Sequence, residues 1–154
     1  MREAMRKSDR QLSEEAAWDI LNKGEYGILS VITKNNEPYG IPLNYVLDGK
    51  KLLFHCAKEG KKLDAILKNP DVCFTVVGSS EVVPDKYTTK YDSAIVFGKA
   101  SVVEDLEELR RMMTVLCDKY SKGLEEKTAK VIERTIDRFL FVSIDIEYIT
   151  GKKN

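Results

Sequence analysis

The chain has 154 residues, 43% hydrophobic and 32% charged, which suits a single folded domain, expected over residues 1–154, and excludes a disordered chain. Lysine plus arginine number 25, and so do aspartate plus glutamate. There is thus no basic excess to point to nucleic acid and no net charge to draw the chain to a membrane surface.

In chain order, the charged stretch Met1–Arg10 is followed by no apolar segment and is not read as a signal peptide. Ser13 is placed to cap a helix over Glu14–Lys23, with two acids in its first turn and Gly24 as its stop. Residues 26–33 are rich in β-branched and aromatic types and read as a strand, turned by Lys34-Asn35-Asn36-Glu37. Residues 38–47 alternate, with Tyr39, Ile41, Leu43, Tyr45 and Leu47 on one face. Asp48-Gly49 is a hairpin turn, and residues 51–57 pair back, giving a three-stranded meander. A short helix is expected over residues 60–68, closed by Asn69-Pro70, then a strand over 71–78.

Residues 79–92 are polar, contain Pro84 and read as a long loop. Residues 93–103 read as a strand in which Gly98 marks a bulge or a close approach. An amphipathic helix follows over 105–120, started by Asp105 and Glu108, and then a weaker one near 124–137. Residues 139–149 alternate as a last strand, with Leu140, Val142, Ile144, Ile146 and Tyr148 on one side. Five to seven strands interrupted by helices predict a mainly β, α+β fold. No apolar run approaches the ~20 residues needed to span a bilayer. Cys56, Cys73 and Cys117 form no disulfide framework, so reduced thiols in the cytoplasm are expected.

Several chemistries are missing from the sequence. His55 is the sole histidine, there is no Cys-x-x-Cys, and no metal site is expected. No Gly-x-Ser-x-Gly elbow, Gly-x-Gly-x-x-Gly fingerprint or Walker A loop is present. Any phosphate site must come from side chains and helix ends. The runs Glu14-Glu15, Glu107-Glu108 and Glu125-Glu126 sit at expected helix starts and read as solvated first turns.

Two stretches stand out. In the segment from Phe54 to Lys62 a strand ends near Cys56, a polar loop carries Gly60, and Lys61-Lys62 opens a helix. A helix N-terminus attracts anions, whereas lysines there oppose the dipole, so their presence suggests a compensating phosphate. From composition and spacing alone the same pair reads more readily as two exposed lysines on a surface turn. His55 shares parity with Leu53 and Ala57 and suits a pocket, the core or solvent. In the second stretch, Ile41-Pro42-Leu43-Asn44-Tyr45, Pro42 interrupts a good strand and marks an edge, a bulge or a place where a flat ring meets open backbone.

Met5-Arg6-Lys7-Ser8-Asp9-Arg10, Gly27-Ile28-Leu29-Ser30-Val31, Pro38–Tyr45, Leu53–Ala57 with Glu59–Asp64, and Asn69–Phe74 occur in an order that resembles one family. It is the pyridoxamine 5'-phosphate oxidase-like flavin-binding split-barrel superfamily, in its branch of Nim-type 5-nitroimidazole resistance proteins. The resemblance implies a six-stranded antiparallel split β-barrel of FMN-binding type. It also implies a homodimer with flavin mononucleotide (FMN) at each of two subunit-interface sites. Lys61 and Lys62 match the pair that holds the phosphate, and Pro42, Leu43 and Asn44 the strand along the ring. His55, flanked by Phe54 and Cys56, takes a place close to the flavin, as an orienter or proton donor. Residues near Tyr91 and Ser93 match those that reach the other subunit's cofactor. The oxidase's C-terminal Arg-x-His pattern is missing, which turns the expectation from pyridoxamine phosphate oxidation to a flavin-dependent reductase of small molecules, nitro compounds among them. A flavin- or haem-binding module without turnover, for which the lone histidine would suit haem, is one alternative. An interaction domain that has lost its ligand is another.

Overall fold

A computed structural model of the chain describes residues 2–154. Among the described residues are seven strands and four α-helices, in the order α1 (Glu14–Lys23), β1 (Tyr26–Ile32), β2 (Pro38–Asn44), β3 (Val46–Asp48), β4 (Lys51–Cys56), α2 (Lys61–Lys68), β5 (Asp71–Val83), β6 (Thr88–Val103), α3 (Leu106–Tyr120), α4 (Glu125–Thr135) and β7 (Leu140–Lys153). The local signals behave as their chemistry dictates. Ser13 Oγ accepts from the Ala16 amide at 3.1 Å, and Asp105 Oδ2 accepts from the Glu108 amide at 3.1 Å, each satisfying an orphan donor of a first turn. Gly49 takes φ 61 in the β3–β4 hairpin, where Asp48 pairs with Lys51.

The strands form one antiparallel sheet in the order β2-β1-β5-β6-β7-β4-β3. β2 and β3 lie at opposite edges, yet only Tyr45 separates them in the chain. Consecutive Cα atoms are about 3.8 Å apart, so the sheet must curl until its edges meet. The result is a split barrel, with the split where the chain steps from one edge to the other.

Leu29, Val31, Phe54, Phe74, Val76, Val96, Val142 and Ile144 fill the barrel, with Ala17 and Leu21 of α1 and Leu63, Ala65 and Ile66 of α2 packed in. A second cluster lies on the outside of β4 and β7. There Leu53, Phe139 and Phe141 meet Leu109, Met112 and Leu116 of α3 and Ile132 of α4. β4 and the first five residues of β7 therefore bury both faces.

Three expectations are corrected. There are seven strands, not six, because the stretch 38–47 breaks at Tyr45, whose fully buried ring turns the chain between edges. Residues 79–92 are not a loop. They continue β5 and β6 as a two-stranded ribbon, paired from Ser79↔Asp92 to Val83↔Thr88, after a bulge between Val77 and Ser79. β-branched Val82, Val83, Thr88 and Thr89 favour the ladder, and Pro84 sits in its turn, where no ladder amide is needed. β7 runs on to Lys153, and its alternation breaks: a register shift opposite Phe97/Gly98 sends Tyr148 to the outer face and buries Ile149. Gly98 is the close approach expected of it, since a Cβ there would strike the Asp145 carbonyl and the Ile144 side chain.

Candidate functional site

The start of α2 is an open helix end. Gly60, at φ 146, holds the N-cap position and supplies no side-chain acceptor. The Asp64 amide is the first to find a helical partner, at Gly60 O, 3.0 Å away. The amides just before it point out of the helix with no intrahelical acceptor. Lys61 and Lys62 stand at this end, and among the described residues neither forms an ion pair. Lys61 Nζ lies 4.4 Å from the centroid of the Tyr39 ring, a cation–π contact that ties α2 to β2 across the split.

His55 leaves β4 on the face opposite Phe54 and Cys56. It pairs in register with Phe141, and its ring lies 6.1 Å from that of Phe141 and 6.2 Å, edge-on, from that of Phe139. The residue is exposed by area, yet this crowding strips enough water to lower its pKa, and the Lys62 charge lowers it further. The imidazole is therefore neutral at neutral pH. Burial pushes the Cys56 thiol up, with Lys62 opposing.

Pro42, Leu43 and Asn44 lie on β2, whose only ladder partner among the described residues is β1, so one side of its backbone is open. Pro42 is opposite Ile28 on this edge, the setting in which a missing amide is tolerated. With Glu25 and Tyr26 the three residues line a shallow cleft of about 450 Å³. Asn44 Nδ2 donates to Glu25 O at 3.0 Å.

The structure thus brings Lys61, Lys62 and His55 together at the β4–α2 junction and adds Tyr39, which the sequence reading left as one more alternating residue. It puts the Phe54 and Cys56 side chains inside the barrel core, leaving only their backbone available to a ligand. Tyr91 and Ser93 lie on β6, parted from β2 by β1 and β5, and within one chain they join neither group. Tyr91 instead packs by Lys152, whose Nζ is 5.6 Å from its ring centroid. Two further residues were not singled out from the sequence. Lys119 and Tyr120, at the end of α3, hydrogen-bond to the β2–β3 crossover from 74 and 75 positions away, too far for any local signal.

A family model described as pyridoxamine 5'-phosphate oxidase matches residues 13–153, nearly the whole barrel. The chain belongs to the pyridoxamine 5'-phosphate oxidase-like family. Solved structures share its fold. A candidate 5-nitroimidazole antibiotic resistance protein from Bacteroides thetaiotaomicron is 20% identical, with 93% of this chain and 86% of that one covered and a TM-score of 0.76. A flavocytochrome from Azotobacter vinelandii is 17% identical over 98% of this chain and 72% of its own, with a TM-score of 0.84. An FAD-binding protein from Mesorhizobium loti is 24% identical over 94% of this chain and 97% of its own, with a TM-score of 0.67. No curated protein matches the chain significantly. Among the described residues, no helix of this family member is long and apolar enough to cross a membrane.

Proposed function

We propose that this chain binds FMN, with the phosphate at the open N-terminus of α2 and the ring along the free edge of β2, and acts as a flavin-dependent reductase of small molecules. The observation that carries the reading is the uncapped end at Gly60 with two lysines that have no acid partner among the described residues. Unpaired amides, the positive end of the dipole and two ammonium groups make an anion site in which each part needs the others. The open backbone of β2 and its Pro42 supply a flat seat on the strand whose Tyr39 ring meets Lys61.

The bound flavin would supply electron transfer, and the protein binding, orientation and proton supply. Lys61 and Lys62 neutralise the phosphate, with Lys61 held by the Tyr39 ring. His55, neutral, carries a hydrogen on one ring nitrogen and leaves the other open, so it can relay a proton, taking one from water at the free nitrogen as it passes its N–H proton to the reduced substrate. Phe139 and Phe141 hold the imidazole plane and keep water from one side of it.

The working unit in this proposal is a homodimer in the cytoplasm. The outer sheet face carries Ile28, Ile32, Tyr26 at 58% exposure and Val77 at 57%, apolar surface that a second copy would cover. Tyr91 and Ser93 would then serve the other copy's flavin. Nitro compounds are the substrate class that fits the nitroimidazole-resistance branch.

The test is the colour of purified protein. Lys62→Ala removes a charge-assisted contact of about 1.5–3 kcal/mol, which weakens FMN binding roughly 10- to 150-fold. A variant as yellow as the parent sinks the phosphate assignment. A Soret band in the parent would replace flavin by haem, and a colourless parent that takes up no added FMN would leave an interaction domain.

A further inference from the structure

Lys119 is a half-buried lysine without an acid. Its Nζ donates to Gly24 O at 2.5 Å and Tyr45 O at 3.1 Å, and it lies 4.0 Å from the Tyr45 ring centroid and 5.2 Å from that of Tyr120. Among the described residues no carboxylate reaches it. The neighbouring Tyr120 hydroxyl accepts from the Tyr45 amide at 3.1 Å and lies 2.7 Å from Tyr45 O and 2.6 Å from Glu25 O. Both backbone polar groups of Tyr45 are thus held by the last two residues of α3. Tyr45 is the residue at which the chain leaves the β2 edge, immediately after Pro42-Leu43-Asn44.

We infer that Lys119 is an electrostatic positioning residue for the Pro42–Asn44 seat, with a charge that favours a bound ring once it has gained negative charge by reduction. This rests on the flavin reading above. A flavin that takes up two electrons and one proton carries one negative charge more than the oxidised ring. Three residues of strand reach about 10 Å. At that distance, with an effective dielectric of about 20, a single buried cation shifts the balance between the two forms roughly tenfold. The carbonyls and aromatic faces around Nζ hold the charge in place without cancelling it, whereas a carboxylate would have cancelled it.

The charge also has a pH limit. Burial brings the Lys119 pKa down to about 8. The groups that face it are the Tyr45 and Tyr120 phenols, both raised by burial and so protonated, and, further out, Glu25 at the start of β1 and Asp118 on α3 itself. The ammonium is therefore present below about pH 8 and lost above it.

The experiment measures dissociation constants of the full chain for oxidised FMN and for FMN reduced anaerobically with dithionite, at pH 7 and pH 9, in the parent, Lys119→Met and Lys119→Arg. At pH 7 the parent and Lys119→Arg should prefer reduced FMN roughly tenfold more strongly than Lys119→Met does. At pH 9 the parent should fall towards Lys119→Met while Lys119→Arg does not. Equal preferences in all three proteins at pH 7 would overturn the inference, as would a parent whose preference tracks that of Lys119→Arg at both pH values. The second comparison needs no destabilised variant. A parent that binds neither form overturns the flavin reading, and the inference with it; a parent that binds both forms with the same preference as Lys119→Met at pH 7 overturns the inference alone.

Discussion

Tyr45→Phe tests the closure of the barrel with the loss of a single oxygen. The ring is fully buried, packed edge-on against Phe74 at 4.9 Å, and Phe at this position keeps that packing. What is lost is the hydrogen bond from the phenol to Leu21 O. Leu21 lies in the last turn of α1, where the helix offers its carbonyls no further amides, and the residue is itself fully buried. Water cannot replace the phenol, so the carbonyl is left unpaired at a cost of about 1–3 kcal/mol. Around 2 kcal/mol corresponds to a fall in melting temperature of roughly 4–8 °C for a chain of this size. Urea denaturation followed by far-UV circular dichroism gives the free energy directly, and the slope should stay constant because the same surface is exposed. Tyr39→Phe, on a half-buried ring whose hydroxyl makes no hydrogen bond among the described residues, is the control and should stay within about 0.5 kcal/mol of the parent. If Tyr45→Phe stays within that band too, the phenol does not close α1 onto the crossover and the account of the seam is wrong.

His55 should titrate below the ordinary histidine value in an NMR pH series, and Lys62→Ala should raise it by removing a like charge; a value at or above 6.5 in the parent contradicts the site electrostatics. Because the folded state binds this proton less readily than the unfolded one, stability should fall as pH drops below about 6.5 and level off under the folded pKa, a slope that His55→Gln should reduce. Gly98→Ala sets a Cβ against the Asp145 carbonyl in the β6–β7 ladder and should cost about 1–3 kcal/mol by urea midpoint, whereas Gly40→Ala, whose nearest neighbour is Ile28 Cγ2 at 3.4 Å, should be close to neutral.

What the sequence made legible was whatever is decided within a few residues. The Ser13 and Asp105 caps, the Asp48-Gly49 turn and the close approach at Gly98 each depend on local geometry, and each stands where expected. Lys61 and Lys62 draw notice because two cations at a helix start oppose the dipole, and both do begin α2. The failures share a cause as well. The break at Tyr45 is imposed by Leu21, Lys119 and Tyr120, none of which is a neighbour in sequence. The period of β7 flips at a bulge that no residue in the strand announces, so alternation alone places Tyr148 on the wrong face. Residues 79–92 have the polarity of a loop because a ribbon with water on both sides needs no apolar face. Tyr39 was read by parity alone, and its contact with Lys61 depends on how the split closes.

That ribbon has a consequence for how the chain could vary. Beyond Ser79 and Asp92 the two strands pair only with each other, with no third strand alongside; Asn154 ties their base through Tyr91 O and Thr89 O, and Tyr87 at the tip is 97% exposed. Deleting or inserting one residue on each strand together would preserve every remaining pair, and the bulge at Val77/Ser79 would keep the change from reaching the barrel. The length of the ribbon is therefore free to drift among relatives in steps of two residues, while a single unmatched insertion in either arm would shift the register of the rest.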